Sequence, residues 1–486
     1  MSSPRLRGTA LVTRTFRAKA WQSLWETTKR GVYGLPPRRV ELAPVWNDGL
    51  VTSQAPPSSP GQRTPLAQRS PEELAELLAE ERAAYDELVA AGLKLDLTRG
   101  KPASAQLDLS DELLRLPDGV KDQAGVDTRN YGGLEGIAEL RAMFAELLWV
   151  EPEQVVAGGN SSLVMMREVL TDLWLKGGVD SERPWGQEEK VTFICPVPGY
   201  DRHFTLLEWF GIEMVTVPMN EDGPDPDAVA ELAGKDPSIK GIWVVPTYAN
   251  PSGSVVSQEV AERLASMTTA APDFKIFWDN AYAFHHLTED EAKSADLLSL
   301  ASAAGHPHRP LMFASTSKIT YAGAGVAFLA GSAETVRWYV GHLGKGSIGP
   351  DKLNQLRHSQ FFGSAQGVRD HMVRHREIIA PKFESVLSVL DDRLGGLGIA
   401  SWTRPTGGYF ISLDVLDGTP STDSNFGAMI AACLRMWART PSGEPKNCAC
   451  RSWLSLSGPI EPLPRWPTYQ RTVSADPARK ATPAPA

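Results

Sequence analysis

Five apolar, β-rich runs recur through the middle of the chain, each followed by polar or turn-forming residues: VTFICPV (191–197), EMVTVPM (213–219), GIWVVPT (241–247), KIFWDN (275–280) and PLMFAST (310–316). Continuous apolarity over so few residues marks short buried strands, and the segments of helical period or turn chemistry between them mark crossovers. The pattern predicts an α/β fold with a mostly parallel central sheet. In such sheets ligands gather beyond the carboxyl ends of the strands.

The flanks differ from this middle. The first fifty residues carry Arg5, Arg7, Arg14, Arg17, Lys19, Lys29, Arg30, Arg38 and Arg39 against only Glu26, Glu41 and Asp48. The stretch 51–65 is rich in Pro and Ser. Residues 1–69 are therefore set apart as a disordered extension or a start assigned too far upstream. Order is expected from Ser70, where Ser70, Pro71 and Glu73 form a capping signature ahead of an apolar stripe of Leu74, Leu77, Leu78, Tyr85, Leu88 and Val89. Gly92 ends that helix. A large domain is expected over 70–345, with 70–100 also contributing to a smaller α+β domain over 346–486. That smaller unit holds a long helical stretch (368–396) and a glycine-marked strand in ASWTRPTGGYFISLDV.

At 486 residues and 42% hydrophobic content the chain can bury one large core or two domains. A net charge of -9 argues against nucleic-acid binding, because such modules carry a basic stripe. No apolar run of about eighteen residues exists, so a membrane-spanning helix is excluded on length. Four cysteines (Cys195, Cys433, Cys448, Cys450) are too few for a disulfide framework and lack zinc-site spacing, so no metal and a cytoplasmic location are expected.

The chemistry collects at strand ends. In LMFASTSKITYAGAG, Lys318 follows an apolar strand, where partial burial would favour its neutral, nucleophilic amine. Ser315 and Ser317 beside it can donate to a phosphate. Asp279 and Tyr282 follow the run KIFWD, where a carboxylate can pair with a protonated ring nitrogen and a phenol can bond a ring oxygen. Asn250 lies in NPSG. Asn160 and Ser161 precede a helix whose exposed amides suit an anion. Tyr200 in PVPGY can stack on a planar ring. Tyr131 and Gly100 occupy glycine-marked loops. Taken singly, each has an ordinary structural alternative: a solvated lysine, a strand-end Asp, a generic turn, an N-cap, a core tyrosine.

Together, the strings LTRGKP, YGGLEGIAELR, AGGNSS, PVPGY, NPSG, DNAY, STSK and PTGGYF resemble, in order, the class I and II aminotransferases of fold type I, within them a bacterial aspartate-aminotransferase-like group. The resemblance implies pyridoxal 5'-phosphate held on Lys318, with Asp279 as ring-nitrogen partner. Asn250 and Tyr282 would bond the ring hydroxyl, Tyr200 would stack, and Asn160, Ser161, Ser315 and Ser317 would hold the phosphate. Tyr131 would reach the neighbouring site of a homodimer, and Gly100 with Asn250 would face the substrate. The implied reaction moves an amino group from an amino acid, aspartate being the candidate, to a 2-oxo acid. A lyase or decarboxylase on the same scaffold, or a catalytically impaired relative, remains open. Two departures stand out. Val326 occupies the position of a phosphate-pairing arginine, and the pattern breaks after about residue 416, where Arg451 alone lies near the expected carboxylate clamp and no clear strand is expected.

Overall fold

The computed structural model describes residues 63–92, 100–415 and 451–453, the last three by their backbone. The expectations for residues 1–62 lie outside the described residues, as does the side chain of Arg451.

The capping signature forms as its chemistry requires. Ser70 N donates to Glu73 Oε2 at 2.8 Å and Glu73 N donates to Ser70 Oγ at 3.2 Å, opening a helix over Pro71–Ala90. Gly92 follows its end at φ +60°. The apolar stripe is not buried among the described residues: Leu74, Leu78 and Val89 are 37%, 49% and 60% exposed.

The eight-stranded sheet comprises β1 (Val155–Ala157), β2 (Thr192–Val197), β3 (Glu213–Asn220), β4 (Gly223–Pro224), β5 (Ile239–Val244), β6 (Lys275–Asp279), β7 (Pro310–Ser315) and β8 (Ala327–Ala330). Their order is β1-β8-β7-β6-β5-β2-β3-β4. The contacts β7–β6, β6–β5, β5–β2 and β2–β3 are all parallel, whereas β8 runs antiparallel to both β7 and β1. All five apolar runs are thus strands of one sheet, but β3 is mostly exposed, because only the two-residue β4 lies beyond it at that end of the sheet; continuous apolarity did not mark burial there. Strands β5 and β6 are buried along their whole length, which is why Ile242–Val244 and Ile276–Trp278 are continuously apolar instead of alternating, while the buried Lys240 and Lys275 near their amino ends are paired with Asp273 and Asp180.

Helices cover both faces. Phe193, Trp243, Phe277 and Phe313 pack on one side with Met165, Met166, Val169 and Leu170 of the helix Ser162–Lys176. Ile194, Ile242, Ile276 and Met312 pack on the other with residues of the helices Ala138–Leu148 and Gln258–Ser266. Because β2, β5, β6 and β7 run in one direction, their carboxyl ends share one edge, and β1, antiparallel to β8, ends there too.

After the helices Lys352–Phe362 and Ala365–Leu394, β9 (Ala400–Trp402) and β10 (Phe410–Val415) pair antiparallel. A third strand, β11 (Arg451–Trp453), pairs parallel with β10, placing Arg451 opposite Phe410. This corrects the expectation of no strand in the Cys- and Pro-rich C-terminal segment. Three residues on a sheet edge need no alternating pattern, so periodicity could not reveal them.

Candidate active site

The shared strand edge collects the residues singled out by sequence. Lys318 closes a single 3-10 turn, Thr316–Lys318, directly after β7. Its Nζ lies 4.4 Å from the ring centroid of Tyr282, three residues beyond the end of β6. Removal from water pushes the Lys318 amine below the usual lysine range, and the Asp279 carboxylate opposes that shift.

Asp279, the last residue of β6, is 4% exposed. Its Oδ2 lies 3.0 Å from His203 Nε2, and its Oδ1 is buried without a partner. The His203 ring stacks on Trp243, centroids 4.2 Å apart at 10°, and meets Tyr200 edge-on at 5.0 Å. Tyr200 caps the helix Asp201–Phe210 that follows β2. Asn250 lies beyond β5 with its Oδ1 buried and unpartnered, and it shares a small cavity with Tyr200, His203 and Trp243. Thr247 Oγ1 beyond β5 and Asn280 Oδ1 after β6 are likewise buried without a partner; buried polar atoms are ordinarily satisfied, so this group of orphan oxygens beyond two neighbouring strands marks where a ligand's donors belong.

A second cluster sits beside the lysine. Ser315 Oγ and Ser317 Oγ lie 2.6 Å apart, and Ser317 Oγ donates to the Asn160 carbonyl at 3.0 Å. Asn160 Nδ2 donates to Gly323 O at 3.2 Å. Ser161 caps the fifteen-residue helix Ser162–Lys176, accepting from Val164 N. The hydroxyls and the helix start converge as an anion cradle requires. Val326 takes no part in it: 1% exposed, its side chain packs in the core, and its amide donates to Thr316 Oγ1 at 2.9 Å.

Two glycines hold loops against the site. Gly136 has φ +87°, and a Cβ there would lie 2.6 Å from Ala157 O, so only glycine lets the 131–136 loop meet the end of β1. Gly100 lies against Phe410 of β10. Tyr131, at the start of the first loop, is 80% exposed.

Three residues at the site were not singled out from sequence. His203 lay inside the motif ICPVPGYDRHF, three positions after Tyr200, and that helical spacing was the available signal. Trp243 lay inside an apolar strand. His285 follows Tyr282 by three, and its Nε2 faces the Lys318 carbonyl at 3.2 Å.

The sequence pattern of the aspartate amino-transferase family matches residues 69–446. An aspartate aminotransferase of Corynebacterium glutamicum is 56% identical over 339 residues, covering 69% of this chain and 78% of that protein. The crystal structure of an aspartate transaminase from Corynebacterium glutamicum superposes with a TM-score of 0.73 at 48% identity, covering 80% of this chain and 94% of that one. An α-aminoadipate aminotransferase of Thermus thermophilus, solved with N-(5'-phosphopyridoxyl)-L-leucine, shares the fold at a TM-score of 0.54 and 24% identity, over 70% of this chain and 80% of that one. The resemblance read from the motifs is thereby borne out, and the chain belongs to the aspartate amino-transferase family of fold type I transaminases.

Proposed function

We propose that this transaminase holds pyridoxal 5'-phosphate on Lys318 and moves an amino group from an amino acid, aspartate being the candidate donor, to a 2-oxo acid. One observation carries the reading. Parallel strands bring Tyr200, Asn250, Asp279 and Lys318 to a single edge, where Asp279 Oδ1 and Asn250 Oδ1 are buried and unpartnered. These residues fit the cofactor: a carboxylate for a ring N–H, an amide and a phenol for a ring hydroxyl, and a hydroxyl-lined helix start for a phosphate.

When bound, the cofactor supplies an aldehyde and an electron-accepting ring. Lys318, its amine shifted toward the neutral form by burial, provides the nucleophile that retains it. Displaced by substrate, the same amine would carry a proton from the amino-acid α-carbon to the cofactor, a role worth about two to four orders of magnitude. Asp279, oriented by His203, keeps positive charge at the ring nitrogen. Tyr200 stacks, Tyr282 and Asn250 hold the ring hydroxyl, and Ser315, Ser317, Asn160 and Ser161 hold the phosphate without the arginine that Val326 replaces. Gly100 and Asn250 face the substrate. The exposure of Tyr131 fits a residue that serves the neighbouring site of a homodimer. The free, buried Cys195 fits a reducing, cytoplasmic setting.

The test is a screen of purified protein with pyridoxal 5'-phosphate, L-aspartate and other amino acids, and a 2-oxo acid acceptor. Stoichiometric appearance of the matching keto acid and new amino acid, lost in Lys318→Ala, is expected. Product release without amination of the acceptor would replace transfer by elimination or decarboxylation.

A further inference from the structure

The turn that carries Lys318 is gripped from behind by a buried polar cluster drawn from four separate parts of the chain. The Lys318 carbonyl faces His285 Nε2 at 3.2 Å and accepts from the Tyr409 hydroxyl at 3.4 Å. The next carbonyl, that of Ile319, faces His371 Nε2 at 2.9 Å. Behind these, His375 Nδ1 lies 3.2 Å from the Gln106 amino group and accepts from it, so the His375 proton sits on Nε2, which lies 3.2 Å from His371 Nε2 and shares the Ile319 carbonyl with it as a second donor. Gln106 Nε2 also donates to the Tyr409 hydroxyl at 2.8 Å.

The orientation of this cluster follows from its donors. Ala103 N donates to Gln106 Oε1 at 3.0 Å, which turns the Gln106 amino group toward His375 and Tyr409. Tyr409 therefore accepts from Gln106 and keeps its own proton for the Lys318 carbonyl. A carbonyl only accepts, so His285 must carry its proton on Nε2, which leaves its Nδ1 as a buried lone pair with no donor. The five side chains come from the helix Ser104–Asp108, the turn after β6, the helix Ala365–Leu394 and the approach to β10. Leaving such groups unpaired costs more than a hydrogen bond returns, so the cluster is tied to the two carbonyls it serves.

We propose that His285, Tyr409, Gln106, His375 and His371 form a positioning network that fixes the backbone of Lys318 and Ile319, and so sets how the Lys318 amine is presented to an aldehyde. The inference rests on the reading of Lys318 as the reactive amine. The groups near that amine are the Asp279 carboxylate, the Tyr282 ring 4.4 Å away and His285, whereas Tyr409 and His371 meet the main chain behind it, with His375 beyond them. Burial holds the histidines neutral, pushing His285 and His375 down to about 3. The network therefore adds donors near Lys318 without adding a second cation that would repel its ammonium form. Loosening it would let water reach the turn and move the amine back toward an ordinary lysine, near about 10.4.

The experiment uses the full, cofactor-free chain. Competitive labelling with acetic anhydride across pH, read by peptide mass spectrometry, follows Lys318 with the exposed Lys345 as internal control. In Tyr409→Phe, which keeps the ring, and in His375→Leu, the Lys318 midpoint should rise by about 0.5–1 pH unit while Lys345 stays put. His375→Gln, which can still pair, should shift it less. With cofactor and substrates, kcat should fall several-fold in Tyr409→Phe at little change in KM. Folded Tyr409→Phe and His375→Leu proteins with an unmoved Lys318 midpoint overturn the network alone. A wild-type Lys318 that labels like Lys345, together with transamination surviving in Lys318→Ala, overturns the underlying reading as well.

Discussion

Replacing Gly100 by alanine tests whether the loop that carries it communicates with the active site through a single ring. A Cβ at Gly100 would lie 2.7 Å from Phe410 Cζ and 2.8 Å from its Cε1. Comfortable carbon contacts begin at about 3.5 Å, so the ring must retreat by roughly 0.8 Å. Phe410 is 2% exposed, stands edge-on to Tyr282 at 5.8 Å and 88°, and has little room to do so. Tyr282 in turn faces Lys318. Overpacking of this kind costs about 1–3 kcal/mol. The lower unfolded-state entropy of alanine offsets about 0.4–1 kcal/mol of that. The net destabilisation should be about 1–2 kcal/mol, with a rise in amino-acid KM as the disturbance passes to Tyr282. Phe410→Leu removes the two ring atoms in conflict, so the double variant should be more stable than the sum of the single effects by about 1 kcal/mol or more. Independent sites add within about 0.3–0.5 kcal/mol. Urea unfolding of the wild type, both single variants and the double variant measures the coupling. Additivity within that scatter would refute the claim that Gly100 acts through the Phe410 ring.

Three further outcomes are expected. Asp279→Ala should lower kcat by on the order of 10²–10³ and shed cofactor on gel filtration, with Asp279→Glu less affected because it keeps a carboxylate; wild-type activity in both variants removes Asp279 from the reaction. Mixing Lys318→Ala with Tyr131→Phe should restore turnover through hybrid dimers with one intact site, and no recovery under verified subunit exchange counts against a shared site. Burial lowers His285 and His375 to about 3 and His358 to about 4, so below pH 6.5 the unfolded chain binds protons that the folded chain does not, and stability falls with pH. Each group contributes at most about 1.4 kcal/mol per pH unit between its folded value and 6.5, and urea midpoints that stay constant from pH 7 to pH 5 contradict this.

What could be read from the amino acids, and what could not, divides along a physical line. Strands buried on both faces write themselves as continuous apolar runs, so Phe277 and Trp278 declare β6 without any knowledge of its neighbours. Polar residues at the ends of such runs are equally visible, which is how Lys318, Asp279 and Asn250 came to attention. A partnership between distant segments leaves no such trace. His203 meets Asp279 across 76 positions, and Gln106 meets Tyr409 across 303. His371 and His375 stand four apart in a helix whose periodicity was plain, yet their spacing says only that they share a face, not that the face looks onto the Lys318 turn. Val326 shows the same division from the other side. Its position suggested a lost phosphate contact, whereas the fold buries it in the core with its amide bonded to Thr316, one position from the serine that takes up the Asn160 carbonyl. The lysine turn is therefore held by backbone and hydroxyl contacts on one side and by imidazole and phenol donors on the other. Both sets bind the main chain, so they fix the lysine through its carbonyls and amides and leave its amine free for chemistry.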